Sequence, residues 1–162
     1  MVKKYSFSEA VAKALAEGRK RQSDFQDVEE AAQEFGQSVV QELSRNYPLP
    51  ISVLVESQKQ DSQVSDCQAP IWGVTAPYPD IYTVSAYAES CKKSIPLVSY
   101  QVNSSSCYPC IVQGKAQSFV CSDLNAFRTA LAHALEIRAF EINRQIQNLS
   151  SQYESSSEYS VE

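Results

Sequence analysis

Glycine and histidine are almost absent from this sequence, and their scarcity excludes several kinds of active site. The four glycines, Gly18, Gly36, Gly73 and Gly114, are too far apart to form the glycine-rich loops that hold phosphate groups. The single histidine is His133, so a Ser-His-Asp triad would have to use it, yet no Gly-x-Ser-x-Gly motif is present. We therefore predict no catalytic residue and favour a protein that is not an enzyme.

The sequence also lacks long apolar runs and a broad basic surface. No uninterrupted apolar segment approaches the roughly 18 residues of a membrane-spanning helix, and Glu9 and Lys13 interrupt the N-terminal segment where a signal peptide would be apolar. The formal net charge of −5 disfavours contact with nucleic acid phosphates. Residues 1–22 carry six basic and two acidic side chains, whereas residues 23–47 carry six acids and one arginine. We expect an acidic, cytoplasmic protein that binds neither nucleic acid nor membrane.

Two amphipathic helices are predicted in the first 46 residues. The first begins at Ser6, which forms a capping-box pattern with Glu9, and it ends near Gly18. The second begins at Ser23 or Asp24 and ends at Asn46. Their apolar stripes are Phe7, Ala10, Val11, Ala14 and Leu15, and then Val28, Ala32, Phe35, Val39 and Leu43.

The middle of the chain alternates apolar and polar residues as β-strands do. Five such segments cover residues 50–57, 79–90, 95–102, 108–113 and 116–121. Short turns between successive strands favour antiparallel pairing, because parallel strands need long crossover connections. A two-residue turn at Gly114 and Lys115 would place Tyr108 opposite Cys121 and bring Cys107 near Cys121.

A long helix follows the strands, from Ser122 or Asp123 to Leu149. The predicted fold is therefore α+β: a mainly antiparallel sheet of about five strands with two N-terminal helices and one long C-terminal helix. We predict a single domain over residues 1–149 and a disordered, acidic, serine-rich tail over residues 150–162.

The apolar stripe of the final helix extends over about 26 residues, or about 39 Å, which is longer than a five-stranded sheet is wide. Either the first two helices cover its far half, or a second chain does. We predict a homo-oligomer whose interface contains Leu135, Ile142, Ile146 and Leu149.

The Cys-Tyr-Pro-Cys segment, Cys107 to Cys110, has three interpretations. A redox pair would need a nearby helix N-terminus to stabilise a thiolate, and no helix begins there. A zinc site would combine this pair with more distant residues, although residues three apart in a strand point to opposite faces. The candidate zinc ligands are Cys91, Cys107, Cys110 and Cys121, with Cys67 or His133 as substitutes. We favour buried thiols that pack as small apolar side chains, predict no cofactor, and keep a zinc- or thiol-dependent protein as the alternative.

Aromatic residues and prolines concentrate between residues 70 and 88. Tyrosine and tryptophan combine a large rigid apolar surface with a polar tip, which suits recognition surfaces. The candidate partner-binding residues are Trp72, Tyr78, Tyr82 and Tyr87. We predict a small non-enzymatic binding, inhibitor or adaptor protein, cellular or a viral accessory protein, that engages a protein or small ligand through this aromatic–proline loop and a sheet edge.

Overall fold

The computed structural model describes residues 6–59 and 80–158, and these residues form an α+β fold, as the sequence predicts. The elements are α1 (Phe7–Asn46), β1 (Ile51–Lys59), β2 (Asp80–Ala88), β3 (Lys93–Asn103), β4 (Cys107–Gln113), β5 (Ser118–Cys121) and α2 (Leu124–Glu158). The five strands form one antiparallel sheet in which their spatial order is their chain order.

A single helix of 40 residues, α1, occupies the region where two helices are predicted, so the predicted helix count is wrong. Its start agrees with the prediction, because the Glu9 backbone N–H donates to Ser6 Oγ at 3.5 Å. Its end at Asn46 also agrees, since Pro48 has no N–H with which to continue a helix. The predicted break after Gly18 is absent, because one internal glycine weakens a helix by only about 1 kcal/mol and the basic residues that follow it are good helix formers.

The loop between β4 and β5 has four residues, so the predicted two-residue turn and its register are wrong. It runs from Gly114 to Gln117, and Cys121 lies opposite Cys110 rather than Tyr108. The Gly114 N–H donates to the Gln117 carbonyl oxygen at 2.8 Å, and a β-carbon on Gly114 would lie 2.5 Å from that oxygen. With this hydrogen bond the loop ends at Gln117, whereas the predicted turn ends at Lys115.

The two helices pack side by side over one face of the sheet, α1 on β1 and β2 and α2 on β3 to β5. α1 comes close to the sheet at Gly36, where a β-carbon would lie 2.7 Å from Val53 Cγ1 and 2.8 Å from Val84 Cγ1. On the other half of the sheet, the ring of Phe127 in α2 packs edge-on against Tyr100, with centroids 5.2 Å apart. The core lies between this helix layer and the sheet.

α1 and α2 run in the same direction. Glu34 of α1 pairs with Arg128 near the start of α2, and Leu43 and Ile142, both further along their helices, line one groove. Among the described residues, neither helix is apolar over a stretch long enough to cross a bilayer.

α2 continues beyond Leu149, so residues 150–158 are helical where the sequence predicts a disordered tail. The hydroxyls of Ser151 and Ser155 donate to carbonyl oxygens one turn earlier, at 3.0 and 2.9 Å, and Tyr153 packs half-buried against the core. Serine side chains bonded in this way fit into a helix that packing already holds. The rest of the predicted tail lies outside the described residues.

The first part of α1 extends past the sheet. A helix of 40 residues is about 60 Å long, whereas the nine residues of β1 span about 30 Å. The first fully buried residue of α1 is Val28, and residues 11–23 are all exposed. We call residues 7–22 the arm.

Candidate functional site

An apolar groove lies between α1 and α2, and the residues that line it come from these two helices rather than from the sheet. Its volume is about 500 Å³, within the range of roughly 300–1,000 Å³ that is typical of ligand sites. The apolar lining consists mainly of Phe35, Val39, Leu43, Leu135, Ala139 and Ile142. We call this site the helix groove.

Small side chains keep the helix groove open. Ser38 and Ala132 both line it and both are exposed. Ser38 Oγ donates to the carbonyl oxygen of Glu34 at 3.0 Å, so its hydroxyl is satisfied within α1. Two adjacent helices stand about 8–10 Å apart, and short side chains at these positions leave the larger apolar side chains beneath them accessible.

An ion pair joins the two helices beside the groove. Arg128 donates to both carboxylate oxygens of Glu34, at 3.0 and 3.1 Å. This hydrogen bonding and the positive charge of Arg128 lower the pKa of Glu34, and Glu34 raises the pKa of Arg128. Exposed ion pairs contribute little to stability, but a two-bond contact of this kind fixes geometry and so aligns the helices.

The rim of the helix groove is acidic on both sides. Glu42 of α1 and Glu136 of α2 line it. Glu42 pairs with Arg45 on its own helix, and Glu136 lies 3.7 Å from His133 Nδ1. These carboxylates surround an apolar floor, so the groove suits a ligand with an apolar face flanked by positive charge.

The arm carries an apolar stripe that is exposed to solvent. Val11 is 55% exposed and Leu15 is 59% exposed, and Phe7 at the start of the helix is 77% exposed. Residues four apart lie on one side of a helix. The arm also carries four basic and two acidic side chains; the basic ones are Lys13, Arg19, Lys20 and Arg21. It is therefore a basic amphipathic helix.

The four residues predicted for the oligomer interface do not share one surface. Ile142, Ile146 and Leu149 are 3%, 0% and 7% exposed and belong to the core of this chain. Ile142 also forms part of the floor of the helix groove, and the half-buried Leu135 lines the same groove. The predicted stripe therefore serves mainly to pack α2 onto its own sheet.

Of the aromatic residues predicted to bind a partner, the two that the structure describes, Tyr82 and Tyr87, are not brought together. Trp72 and Tyr78 lie outside the described residues. Tyr82 stacks on Tyr100 on the helix-covered face, with ring centroids 5.2 Å apart and planes 16° apart. Tyr87 is five residues further along the same strand and so points to the opposite face.

Three of the four cysteines in the candidate zinc set lie in the core. Cys107, Cys110 and Cys121 are at most 1% exposed, and Cys110 Sγ donates to the Cys107 carbonyl oxygen at 3.3 Å. Burial raises the pKa of the Cys107 thiol to about 11 and also raises the pKa of Cys110 and Cys121. Neutral thiols in an apolar core are weak nucleophiles, which matches their interpretation as packing residues.

Cys91 does not join these thiols. It lies in the turn before β3, and Cys107 begins β4 beyond the other end of β3; the 11 residues of β3 span about 35 Å. His133 is a half-exposed residue of α2 that stacks on Phe119, with ring centroids 6.3 Å apart. Within residues 6–59 and 80–158, no three His, Cys, Asp or Glu side chains are arranged to hold a metal ion.

Sequence reasoning missed the helix groove and the projecting arm. The apolar residues of both belong to the predicted stripes, but Leu135 and Ile142 are predicted there as part of an oligomer interface rather than of a groove between two helices. The stripes themselves carry no signal for the groove, because Phe35 and Leu135 lie on the same narrow helix faces as the residues that pack into the core. No protein-family model, curated protein or solved structure matches this chain.

Proposed function

We propose that this chain is a non-enzymatic binding protein and that the helix groove is its binding site. The ligand is a helical segment of a protein, with an apolar face flanked by basic side chains. The observation that carries the proposal is the groove between the two helices: half-buried apolar side chains lie over the buried Leu43 and Ile142, with a carboxylate on each side.

The physical basis is the burial of apolar surface. When a helix binds in an apolar groove, each Å² of apolar surface removed from water contributes about 25 cal/mol of favourable free energy. The side chains of the ligand, spaced one helical turn apart, fit between those of the groove. Glu42 and Glu136 add electrostatic selection, because rim charges chiefly govern which partners approach and how fast they associate.

Two earlier hypotheses receive less support from the described residues. Binding through the aromatic–proline loop stays a prediction, because Trp72 and Tyr78 lie outside those residues and Tyr82 and Tyr87 face opposite sides of the sheet. The zinc- or thiol-dependent alternative is disfavoured because Cys91 is remote from the other three thiols.

A photo-cross-linking experiment tests the proposed function. A photoreactive phenylalanine analogue is placed at Ala132, an exposed position in the helix groove, and the cross-linked peptides are identified by mass spectrometry. The matched control places the same analogue at Phe140, which is 80% exposed and is not among the groove-lining residues.

The expected result is one cross-linked segment at position 132 that is amphipathic, basic and absent from the control at position 140. Equal labelling at both positions, or no specific product at position 132, would show that the groove does not bind a helical segment.

A further inference from the structure

We infer that the helical segment bound by the helix groove is the arm of a second copy of this chain. The inference rests on the proposed function of the groove and adds the identity of the partner. Each molecule carries both complementary surfaces, the exposed apolar stripe of the arm and the apolar helix groove.

The apolar surfaces match in spacing. Val11 and Leu15 of the arm are four residues apart, which is about 6 Å along a helix. The groove has the same repeat on both walls, with Val39 and Leu43 on α1 and Leu135 and Ala139 on α2. A third helix running along the groove can therefore place its side chains between those of both walls.

The charges also match. The arm has four basic and two acidic side chains, a net charge of +2, while residues 23–47 have six acids and one arginine, a net charge of −5. Glu42 and Glu136 stand on the rim of the groove that the arm would enter. Contact between copies thus brings the basic part of one α1 against the acidic part of the other.

The arm cannot occupy the groove of its own chain, because the arm and the α1 wall of the groove are parts of one continuous helix. Leu15 and Phe35 are 20 residues apart in α1, which is about 30 Å along the helix axis. Folding the arm back would break α1 between these residues. A second copy can cover both the arm and the helix groove without any change of conformation. In a two-fold dimer, each arm enters the groove of the other chain, so both arms and both grooves are buried.

The test is a complementation experiment by sedimentation equilibrium on the full chain. Leu15→Glu places a carboxylate in the apolar stripe of the arm, and Leu135→Glu places one in the groove. We expect the unchanged protein to form dimers and each variant alone to be monomeric. An equimolar mixture regains dimers, because the intact arm of the groove variant fits the intact groove of the arm variant.

Phe140→Glu is the matched control, since it changes an exposed apolar residue of α2 outside the groove, and it should dimerise like the unchanged chain. Circular dichroism verifies that each variant is folded; if Leu135→Glu is not, Ala132→Glu takes its place. Monomers of the unchanged chain at the highest soluble concentration, or a mixture that stays monomeric, would overturn the inference. So would loss of dimers in Phe140→Glu. Should cross-linking at position 132 then capture a helix of another protein, the proposed function would stand without this partner.

Discussion

At the scale of single residues, Gly36 sets how closely α1 approaches the sheet. A β-carbon there would lie 2.7 Å from Val53 Cγ1 and 2.8 Å from Val84 Cγ1, and valine side chains have little rotamer freedom with which to move away. Overpacking typically costs about 1–3 kcal/mol, and the higher helix propensity of alanine returns about 1 kcal/mol. We expect Gly36→Ala to lower the free energy of unfolding by up to about 2 kcal/mol in urea denaturation.

Gly18→Ala is the control, because no atom lies within 4 Å of a β-carbon at that position. This change should leave the free energy of unfolding the same or slightly higher. A Gly36→Ala variant as stable as Gly18→Ala would mean that α1 and the sheet separate easily at this point.

The buried thiols make stability depend on pH in the alkaline range. Burial raises the pKa of Cys107 to about 11, whereas an unfolded cysteine titrates near about 8.5. The folded chain then holds more protons than the unfolded chain, so stability is complete below about pH 8.5 and falls as pH rises towards 11. Denaturation midpoints measured across this range should decrease, and less steeply in Cys107→Ala.

Burial also raises the pKa values of Cys110, Cys121, Tyr100 and Tyr108, so part of the decrease persists in Cys107→Ala. A midpoint that is flat between pH 8 and 10.5 would contradict the burial of the thiol.

Residue-scale signals in the sequence succeeded where one residue decides the outcome alone. Ser6 and Pro48 mark the ends of α1 as predicted, because a cap and a missing N–H act locally. Gly18 was misleading since the same residue type ends a helix only when the backbone turns left-handed after it, and the surrounding sequence decides that. The β4–β5 register was missed because the bond from Gly114 to Gln117 depends on the backbone of a whole loop.

At the scale of elements, α1 has two parts that differ in how far packing against the rest of the chain stabilises them. Residues 28–43 are packed on the sheet and on α2, whereas the arm has no buried residue. A helical segment of about 12–15 residues is marginal in water without packing. The arm should therefore open far more often than the rest of α1.

Amide hydrogen exchange measured by mass spectrometry checks this difference. In dilute protein the arm should exchange much faster than residues 28–43, and Gly18→Ala should slow it by favouring the helix. Raising the protein concentration should protect the arm if it enters the groove of a second copy, but not in Leu15→Glu. Equal protection of both parts of α1 in dilute protein would show that the arm is packed within one chain.

At the scale of the whole molecule, the α+β class and the five antiparallel strands were predictable, because tight turns make strands adjacent in sequence also adjacent in space. The helix groove was not predictable, since it requires two helices about 90 residues apart in the chain to run parallel, and the Glu34–Arg128 pair that aligns them has no local signal. The exposed groove could not be separated from the core by pattern alone, because Leu135 and Ile142 belong to one apolar stripe.

The chain order of these elements also sets an order of folding. Because β2 to β4 each pair with the next strand across a connection of three or four residues, this part of the sheet can assemble from local hairpins, which form on a timescale of microseconds. α2 follows the strands, yet it supplies most of the helix cover over the inner face of β3 to β5. During synthesis, the ring of Tyr100, which is 2% exposed in the finished fold and packs against Phe127 of α2, therefore lacks this cover until α2 has left the ribosome. In that interval the nascent chain is most exposed to aggregation, and most in need of a chaperone.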